Sequence, residues 1–327
     1  MTATAHPDIA VEGMELVPDT EPEWKRLGSY GGSNIAVTLL EAGAWFGLLT
    51  LLDNATLPLW VRGIVLLVFC LTMQGVFTMA HEYCHRNAHS DPRLGYAIGW
   101  VTSTIFGTAP TFLRVQHWGH HRRNRTEAER AEFIREGESA LFKHVQYYFA
   151  VLGGIWLASL AFPVVSILLP YRSARWFAHN ARFNSFAAAF LEFDQREWLR
   201  MRIEGAVFLV LWVAIIGFGP WQWETLAVAY GAFAFSWSSL QWVYHLHTPL
   251  HVIEGAYNLR APWLVRVLFL NFNYNLTHHR HPWMPWQELY RHSDQQETQP
   301  LWYRYARVVL PPVPFPEDPA VLEKRYF

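Results

Sequence analysis

Histidine clusters beside apolar stretches constrain the fold of this 327-residue chain more than any other feature. Twelve of its 16 histidines fall into four short groups. In chain order the groups are His81, His85 and His89; His117, His120 and His121; His245, His247 and His251; and His278, His279 and His281. Neutral imidazole is the commonest protein ligand for transition metals, and a structural zinc takes only four ligands. The chain is therefore expected to bring these groups together around more than one metal ion.

The composition indicates a membrane protein. Hydrophobic residues make up 52% of the chain and charged residues 16%, against a usual charged fraction of about 25%. The mean hydropathy of +0.05 is too low for a chain made only of spans, so a polar part is expected outside the bilayer. A net charge of −1 without a basic run gives no support for nucleic-acid binding. Two cysteines, Cys70 and Cys84, are too few for a secreted disulfide scaffold.

Four apolar segments are long enough to cross a bilayer as helices of about 20 residues. They cover residues 33–52, 58–80, 202–219 and 224–244 and form two hairpins joined by short turns. We therefore expect an all-α membrane protein with about four transmembrane helices and a cytoplasmic histidine-rich cap. Neither short turn contains a basic residue. The positive-inside rule places both termini and all four histidine groups in the cytoplasm, because the region between the hairpins carries Arg86, Arg93, Arg114, Arg122, Arg123, Arg125, Arg130, Arg135 and Lys143.

Two further apolar stretches complicate this topology. Residues 94–113 separate the first two histidine groups, which must share one side, so this stretch is expected to be interfacial or re-entrant. Residues 145–170 contain Gly153, Gly154 and Pro163 and are expected to be re-entrant or a broken hairpin. Residues 176–201 alternate apolar and charged residues at helical spacing, which favours a helix lying in the interface. Glu41 lies within the first span, where it either lines a substrate channel or is paired or protonated inside the bundle.

The chain divides into three parts by composition. Residues 1–32 form a polar N-terminal segment without the basic, then apolar, pattern of a cleaved signal peptide. Residues 33–295 hold the apolar segments and the histidines, and residues 296–327 form a Pro-rich tail that is expected to be packed over the cytoplasmic face or loose.

The spacing within each group suits metal ligation. His81 and His85 are four residues apart, so one face of a helix presents both. His117 and the adjacent pair His120 and His121 have a three-and-one spacing that lets neighbouring rings face two metals. His278 and His279 repeat the adjacent pair, with Asn275 three residues earlier, and His245 follows Gln241 by four residues.

These boxes resemble the membrane-bound fatty acid desaturase and hydroxylase superfamily, to which alkane hydroxylases are related. The family pattern is H-x3-H or H-x4-H, then H-x2-H-H, then H/Q-x2-H-H. Residues 273–286 read N-Y-N-L-T-H-H-R-H-P-W-M-P-W, close to the family's usual ending of the last box. The similarity covers about residues 35–290.

The resemblance implies a site with two iron ions, O2 as oxidant and a lipid or other hydrophobic substrate. By this resemblance Gln241 occupies the position of a residue that binds the metal through a water in a relative. Asn275 occupies the position of a histidine ligand that many members have, and either His281 or His247 would have to replace that ligand if the site is to keep the same number of nitrogen donors. The family ligands fall on His81, His85, His117, His120, His121, His245, His278 and His279.

The sequence shows no dinucleotide-binding fingerprint, flavin site or fused cytochrome domain. A separate electron donor such as a ferredoxin or rubredoxin with its reductase is therefore expected, docking near Arg122, Arg123 and Arg125, unless these arginines bind lipid headgroups. Two kinds of accessory residue are predicted with them. Candidate carboxylates for orienting the imidazoles are Glu82, Glu127 and Asp294, with a solvated surface charge as the alternative for the last two. Candidate aromatic residues for lining a channel, with core or interface packing as the alternative for each, are Tyr83, Trp118, Trp237, Trp242 and Tyr274.

Several alternatives stay open at the level of sequence. The last box favours a desaturase over a hydroxylase, which uses the same ligands. His81 to His85 also reads H-E-x-x-H, the pattern of a zinc peptidase with Glu82 as general base, but that leaves the other clusters unexplained. A metal sensor or transporter is a further alternative, although transport sites usually lie within the spans. Asn275 is either a metal group or the N-cap of the helix that carries His278.

Overall fold

The computed structural model describes residues 30–126, 129–180 and 190–315, and this part of the chain is a bundle of helices. Its strands are two residues long. They are β1 (Phe133–Ile134), β2 (Leu259–Arg260), β3 (Gln299–Pro300) and β4 (Val313–Pro314). The described helices are α1 (Gly31–Asp53), α2 (Leu59–Cys84), α3 (Pro92–Phe106), α4 (Pro110–Arg123), α5 (Ala140–Phe149), α6 (Ile155–Leu168), α7 (Tyr171–Asn180), α8 (Gln195–Phe218), α9 (Trp223–Val243), α10 (Trp263–Leu268), α11 (Asn275–Arg280), α12 (Trp286–His292) and α13 (Leu301–Arg307).

Four helical segments are long and apolar enough to cross a membrane: α1, α2, the run Ala140–Leu168, and α8. This confirms the all-α membrane class and the predicted spans in α1, α2 and α8. The predicted fourth span became helix α9, but α9 is not one of the four, and the more apolar Ala140–Leu168 is. The reason is that α9 lies inside the bundle, where Ser238, Ser239 and Trp237 are buried, and therefore tolerates polar residues that a lipid-facing helix excludes.

Helices α3 and α4 form a helical hairpin that turns back on itself, rather than one segment that crosses the membrane. Gly107 ends α3 with a φ of 104°, a left-handed conformation that suits glycine. Both helices pack on α2, and α4 returns His117 to within 2.6 Å of His85, measured between the two Nε2 atoms. The prediction that residues 94–113 do not cross singly is confirmed.

The run Ala140–Leu168 is broken in the middle. A π-helical turn at Ala150–Gly154 contains Gly153 with a φ of 126° and separates α5 from α6. At one end, Tyr147 of α5 donates to the Val308 carbonyl at 2.8 Å. At the other, Trp198 in the first turns of α8 donates to the Leu169 carbonyl at 3.1 Å, and the neighbouring Glu197 pairs with Arg114 of α4 at 3.0 Å. Both ends therefore lie on the histidine side, as a re-entrant or broken segment requires.

Glu41 is buried between α1 and α2 and does not line the large cavity described below. Its Oε2 atom has no hydrogen-bond partner among the described residues, and its carboxylate lies against Gly75, where a Cβ would come within 2.5 Å of Oε1. Of the two predictions for Glu41, the structure favours the position inside the bundle over the channel.

The side-chain amide of Asn34 joins helix α1 to the segments that carry the histidines. Asn34 donates to the Ala88 carbonyl at 3.0 Å and accepts from Trp286 Nε1 at 3.0 Å. The described part of the Pro-rich tail also packs on this side, because β3 pairs with β2 and β4 with β1, both in parallel. The predicted interfacial helix at residues 176–201 lies partly outside the described residues; Gln195 already belongs to the long helix α8.

Candidate metal centre

Four structural elements bring the histidine boxes to one place. The end of α2 carries the first box, α4 the second, the segment after α9 carries His245, and the short helix α11 carries the last box. Eight of the predicted ligands form two groups, in each of which the possible ligand atoms lie within 4.8 Å of one another.

The larger group consists of His81, His85, His117, His121 and His278. The Nε2 atom of His278 lies 3.0 Å from that of His81 and 2.9 Å from that of His121. Neutral imidazole has one donor and one acceptor nitrogen, so several Nε2 atoms at one point cannot all be satisfied by hydrogen bonds to each other. A cation at that point would satisfy them all. The donor set therefore fits a transition metal.

The smaller group consists of His120, His245 and His279. His245 donates from Nδ1 to the Gly255 carbonyl at 2.7 Å, and Nδ1 of His120 lies 2.6 Å from Oε2 of Glu129. These bonds leave the Nε2 atoms of both rings available for a metal. His279 is buried, and neither of its ring nitrogens has a hydrogen-bond partner in the described structure. Three nitrogen donors leave open positions on a metal held here.

Burial and neighbouring rings keep His117, His121 and His278 neutral. Burial lowers the pKa of His117, His121 and His278 well below the usual range, and the nearby imidazoles lower it further. Neutral imidazole is the form that binds metals. For Glu129 burial opposes ionisation, but His120, Arg123 and Arg125 outweigh it and hold the pKa of this carboxyl below its ordinary value. A carboxylate thus faces His120 at neutral pH.

Each of the two side-chain amides near the histidines has one buried atom without a hydrogen-bond partner in the described structure. Gln241 lines the cavity together with His245, and its Nε2 atom has no described partner. Asn275 is the first residue of α11, whose N-cap position belongs to Tyr274 without any side-chain capping bond. The capping alternative for Asn275 is therefore wrong. Its Oδ1 atom is buried and has no described hydrogen-bond partner.

The remaining clustered histidines stay out of both groups. His89 accepts from the Asp91 amide at 2.8 Å, and His251 accepts from the Glu254 amide at 3.0 Å, so both stabilise turns. His247 and His281 are also absent from the two groups found in the described chain. Nothing in the geometry supports either as a substitute for the histidine that Asn275 replaces.

Of the predicted orienting carboxylates, Glu82 and Asp294 have other hydrogen-bond partners in the described structure. Glu82 is buried and accepts a hydrogen bond from the backbone of Trp286. Asp294 accepts from the Gln296 amide at 2.8 Å in a surface turn, and Glu127 lies outside the described residues. Glu129 takes the predicted role on His120. It was missed because it lies in an irregular loop nine residues after its partner, where no periodicity relates the two.

An apolar cavity of about 460 Å³ leads to the histidines. Trp237 and Trp242 line it, as predicted, whereas Tyr83, Trp118 and Tyr274 do not. Its histidines are His117, His120 and His245, its polar end holds Arg123, Asn124 and Glu129, and its apolar wall includes Phe77, Phe112, Leu113, Phe142, Val145, Phe149, Ile155 and Phe162.

The predicted basic docking surface is largely internal. Arg125 pairs with Glu132 at 2.6 Å, and their side chains are 0% and 1% exposed. Arg123 is buried between Glu129 and Glu192. Only Arg122 keeps a substantial exposed fraction, and it too pairs with Glu192. The prediction for Arg123 and Arg125 was wrong, because both side chains are buried in ion pairs with acidic residues.

Comparison with known proteins gives one positive result. No curated protein matches the chain. The sequence profile of the family described as fatty acid desaturase matches residues 55–308, which include every histidine of the two groups. The match, the spans and the histidine groups together show that the chain is an integral membrane protein that belongs to the fatty acid desaturase family, within the membrane-bound desaturase and hydroxylase superfamily.

Proposed function

We propose that this membrane oxidoreductase is a desaturase that uses two iron ions and O2 to introduce a double bond into a fatty acyl or other lipid chain. The observation that carries the proposal is the juxtaposition of two separate histidine groups with one apolar cavity. Iron held there would supply the oxidising power to remove hydrogen from an unactivated C–H bond. Overall, O2, two electrons and two protons would take two hydrogens from neighbouring carbons and yield two waters.

The chain's own residues would position and shield the substrate. Phe112 and Phe162, whose ring centroids lie 4.7 Å apart, and Trp237 form apolar walls that exclude water and hold a lipid chain. His117 and His245 face the same space, so the carbon to be attacked would lie beside them. Gln241 lies next to them with an amide Nε2 atom that has no described partner, and it would hold a water beside the metal.

The proposed ligands are the eight histidines, with Asn275 and Gln241 as further groups. Five rings would bind one iron and three the other, so the amides would complete the poorer site. The proposed site faces the cytoplasm of a bacterial inner membrane and takes electrons from a separate ferredoxin-like or rubredoxin-like donor with its reductase.

A hydroxylase with the same ligands is the second candidate, since oxygen rebound instead of a second hydrogen removal gives an alcohol. The cavity admits either outcome. The zinc-peptidase alternative loses support, because His81 and His85 lie with rings from two other boxes and Glu82 is bonded to the Trp286 backbone instead of facing a water site.

Metal analysis and product analysis test the proposal together. Purified protein should hold about two irons and no zinc per chain, and cells expressing it should contain new unsaturated lipids by mass spectrometry. His121→Ala or His279→Ala should remove iron and abolish product, while His144→Ala, on α5 and outside both groups, should do neither. A single zinc without iron would refute the proposal, and hydroxylated product would select the second candidate.

A further inference from the structure

The centre is closed on nearly all sides. His81, His85, His121, His278 and His279 are each at most 2% exposed. The large cavity reaches the rings only at His117, His120 and His245, and a bound lipid would fill it. Electrons from another protein must therefore pass through a different wall.

One thin wall consists of two tryptophan rings that lie against His85. The ring centroids of His85 and Trp118 are 4.8 Å apart, and those of Trp118 and Trp283 are also 4.8 Å apart. His85 in turn lies 4.7 Å from His117 and from His278. Both indoles are partly exposed and neither lines the cavity. A continuous series of ring contacts thus joins the protein surface to the larger histidine group.

The first indole is held firmly. Trp118 donates from Nε1 to the Cys84 carbonyl at 2.9 Å, at the end of the helix that carries His85. Trp283 belongs to the last histidine box and lies beside buried Met284. Both indoles are therefore positioned by the same elements that position the ligands, which favours a fixed separation between the surface and the centre.

The surface beside the indoles has a basic residue available to a partner. Arg86 follows His85 directly, is exposed, and makes no ion pair with any residue that the structure describes. Arg114 and Arg122 lie one helical turn on either side of Trp118 on α4, where they pair with Glu197 and Glu192. An exposed arginine next in the chain to His85, with no ion pair among the described residues, together with two partly exposed aromatic rings suits a small protein with an acidic face.

We propose that Trp118 and Trp283 form the route by which electrons enter, and that an acidic one-electron carrier protein docks over them beside Arg86. The proposal rests on the proposed function. Two reduced carriers would each release one electron and become oxidised, and the two electrons would reduce two ferric ions held by the histidines to the ferrous state. No bond forms or breaks at the indoles and no proton moves there. Donor and lipid would then reach the centre from different sides.

Anaerobic rapid mixing tests the route without turnover. Oxidised, iron-loaded protein is mixed with a [2Fe–2S] ferredoxin that was reduced beforehand and freed of reductant, and separately with a rubredoxin reduced in the same way; oxidation of the carrier is followed by absorbance. In the double variant Trp118→Leu and Trp283→Leu we expect transfer slower by about tenfold or more, the change that about 1.4 kcal/mol of added barrier produces. Phe at both positions should restore most of the rate. Trp302→Leu, at an exposed tryptophan on α13, is the matched control.

Two further measurements distinguish a role of the indoles in electron transfer from a structural role. Iron content and reduction by dithionite, which needs no docking, should stay unchanged in the double variant. Arg86→Glu should raise the carrier concentration needed for half-maximal rate, and this effect should shrink as salt rises.

An unchanged transfer rate in the double variant would overturn the route, as would loss of iron or of dithionite reduction, which would make the indoles merely structural. Failure of the wild type to accept electrons from either carrier would also refute it. A wild-type protein without iron or product would instead refute the proposed function, so the two failures are distinguishable.

Discussion

At the scale of single residues, Glu129 is the clearest addition to what the sequence indicated. It fixes His120 through Nδ1 and lies itself against Arg123. Seven of the eight histidines were predictable because their spacings follow helical geometry, and His245 was predictable from the family resemblance. Glu129 was not, because a loop of irregular backbone brings it back to α4, and no spacing rule describes such a return.

Glu129→Gln should weaken metal binding at the smaller group. The amide is a poorer acceptor for the imidazole N–H, so His120 loses orientation and basicity. Removing such an acceptor typically costs about 10–100-fold in metal affinity. Iron titration of metal-free protein measures this, with Glu138→Gln as control, since Glu138 lies at the surface 3.6 Å from Lys143. Equal affinities in wild type and variant would contradict the role.

Asn275 should act on one iron only. Because it does not cap α11, Asn275→Ser removes an oxygen donor without removing a capping bond. We expect one iron per chain to become weakly bound while the other stays, visible as loss of one signal in Mössbauer spectra. Asn54→Ser, in the turn between α1 and α2, serves as the control. Two unchanged signals would show that Asn275 makes no contact with metal, directly or through water.

At the scale of elements, two reversals decide where the histidines lie. Hydropathy identified the apolar segments, and the need for one shared side identified residues 94–113 and 145–170 as exceptions. By hydropathy Ala140–Leu168 qualifies as a span and α9 does not, although both ends of Ala140–Leu168 lie on the histidine side. The difference arises from packing, since about half of α9 is buried in the bundle while the other run is more exposed, and a single sequence does not reveal its neighbours.

Gly153→Ala tests the break in that run. A φ of 126° is strained for any residue with a Cβ, and a Cβ there would lie 3.3 Å from Ala234. The variant should lose about 1–3 kcal/mol of stability. Thermal unfolding in detergent measures this against Gly63→Ala, a helical site with open space around it, where stability should be equal or higher. Equal stability of Gly153→Ala and wild type would show that the break is not required.

At the scale of the whole molecule, the arginine distribution predicts which side faces the cytoplasm. In a chain with Cys70 and Cys84 replaced, a cysteine at Asn54 should react with an impermeant maleimide added to intact cells. A cysteine at Glu136, which is exposed on the histidine side, should react only after lysis. The reverse pattern would invert the topology. Arg125 is unsuitable as a label position because it is buried.

The contact between Asn34 and Trp286 joins residues 252 positions apart, and His81 meets His278 across 197. During synthesis, helix α1 is made long before its contact residue Trp286, which is translated near the end of the chain. The larger histidine group is incomplete until residue 278 has been made, and the smaller group until residue 279. A chain truncated before that point would contain the apolar helices but an incomplete set of histidines. The order of translation therefore places closure of the centre late in the protein's biogenesis.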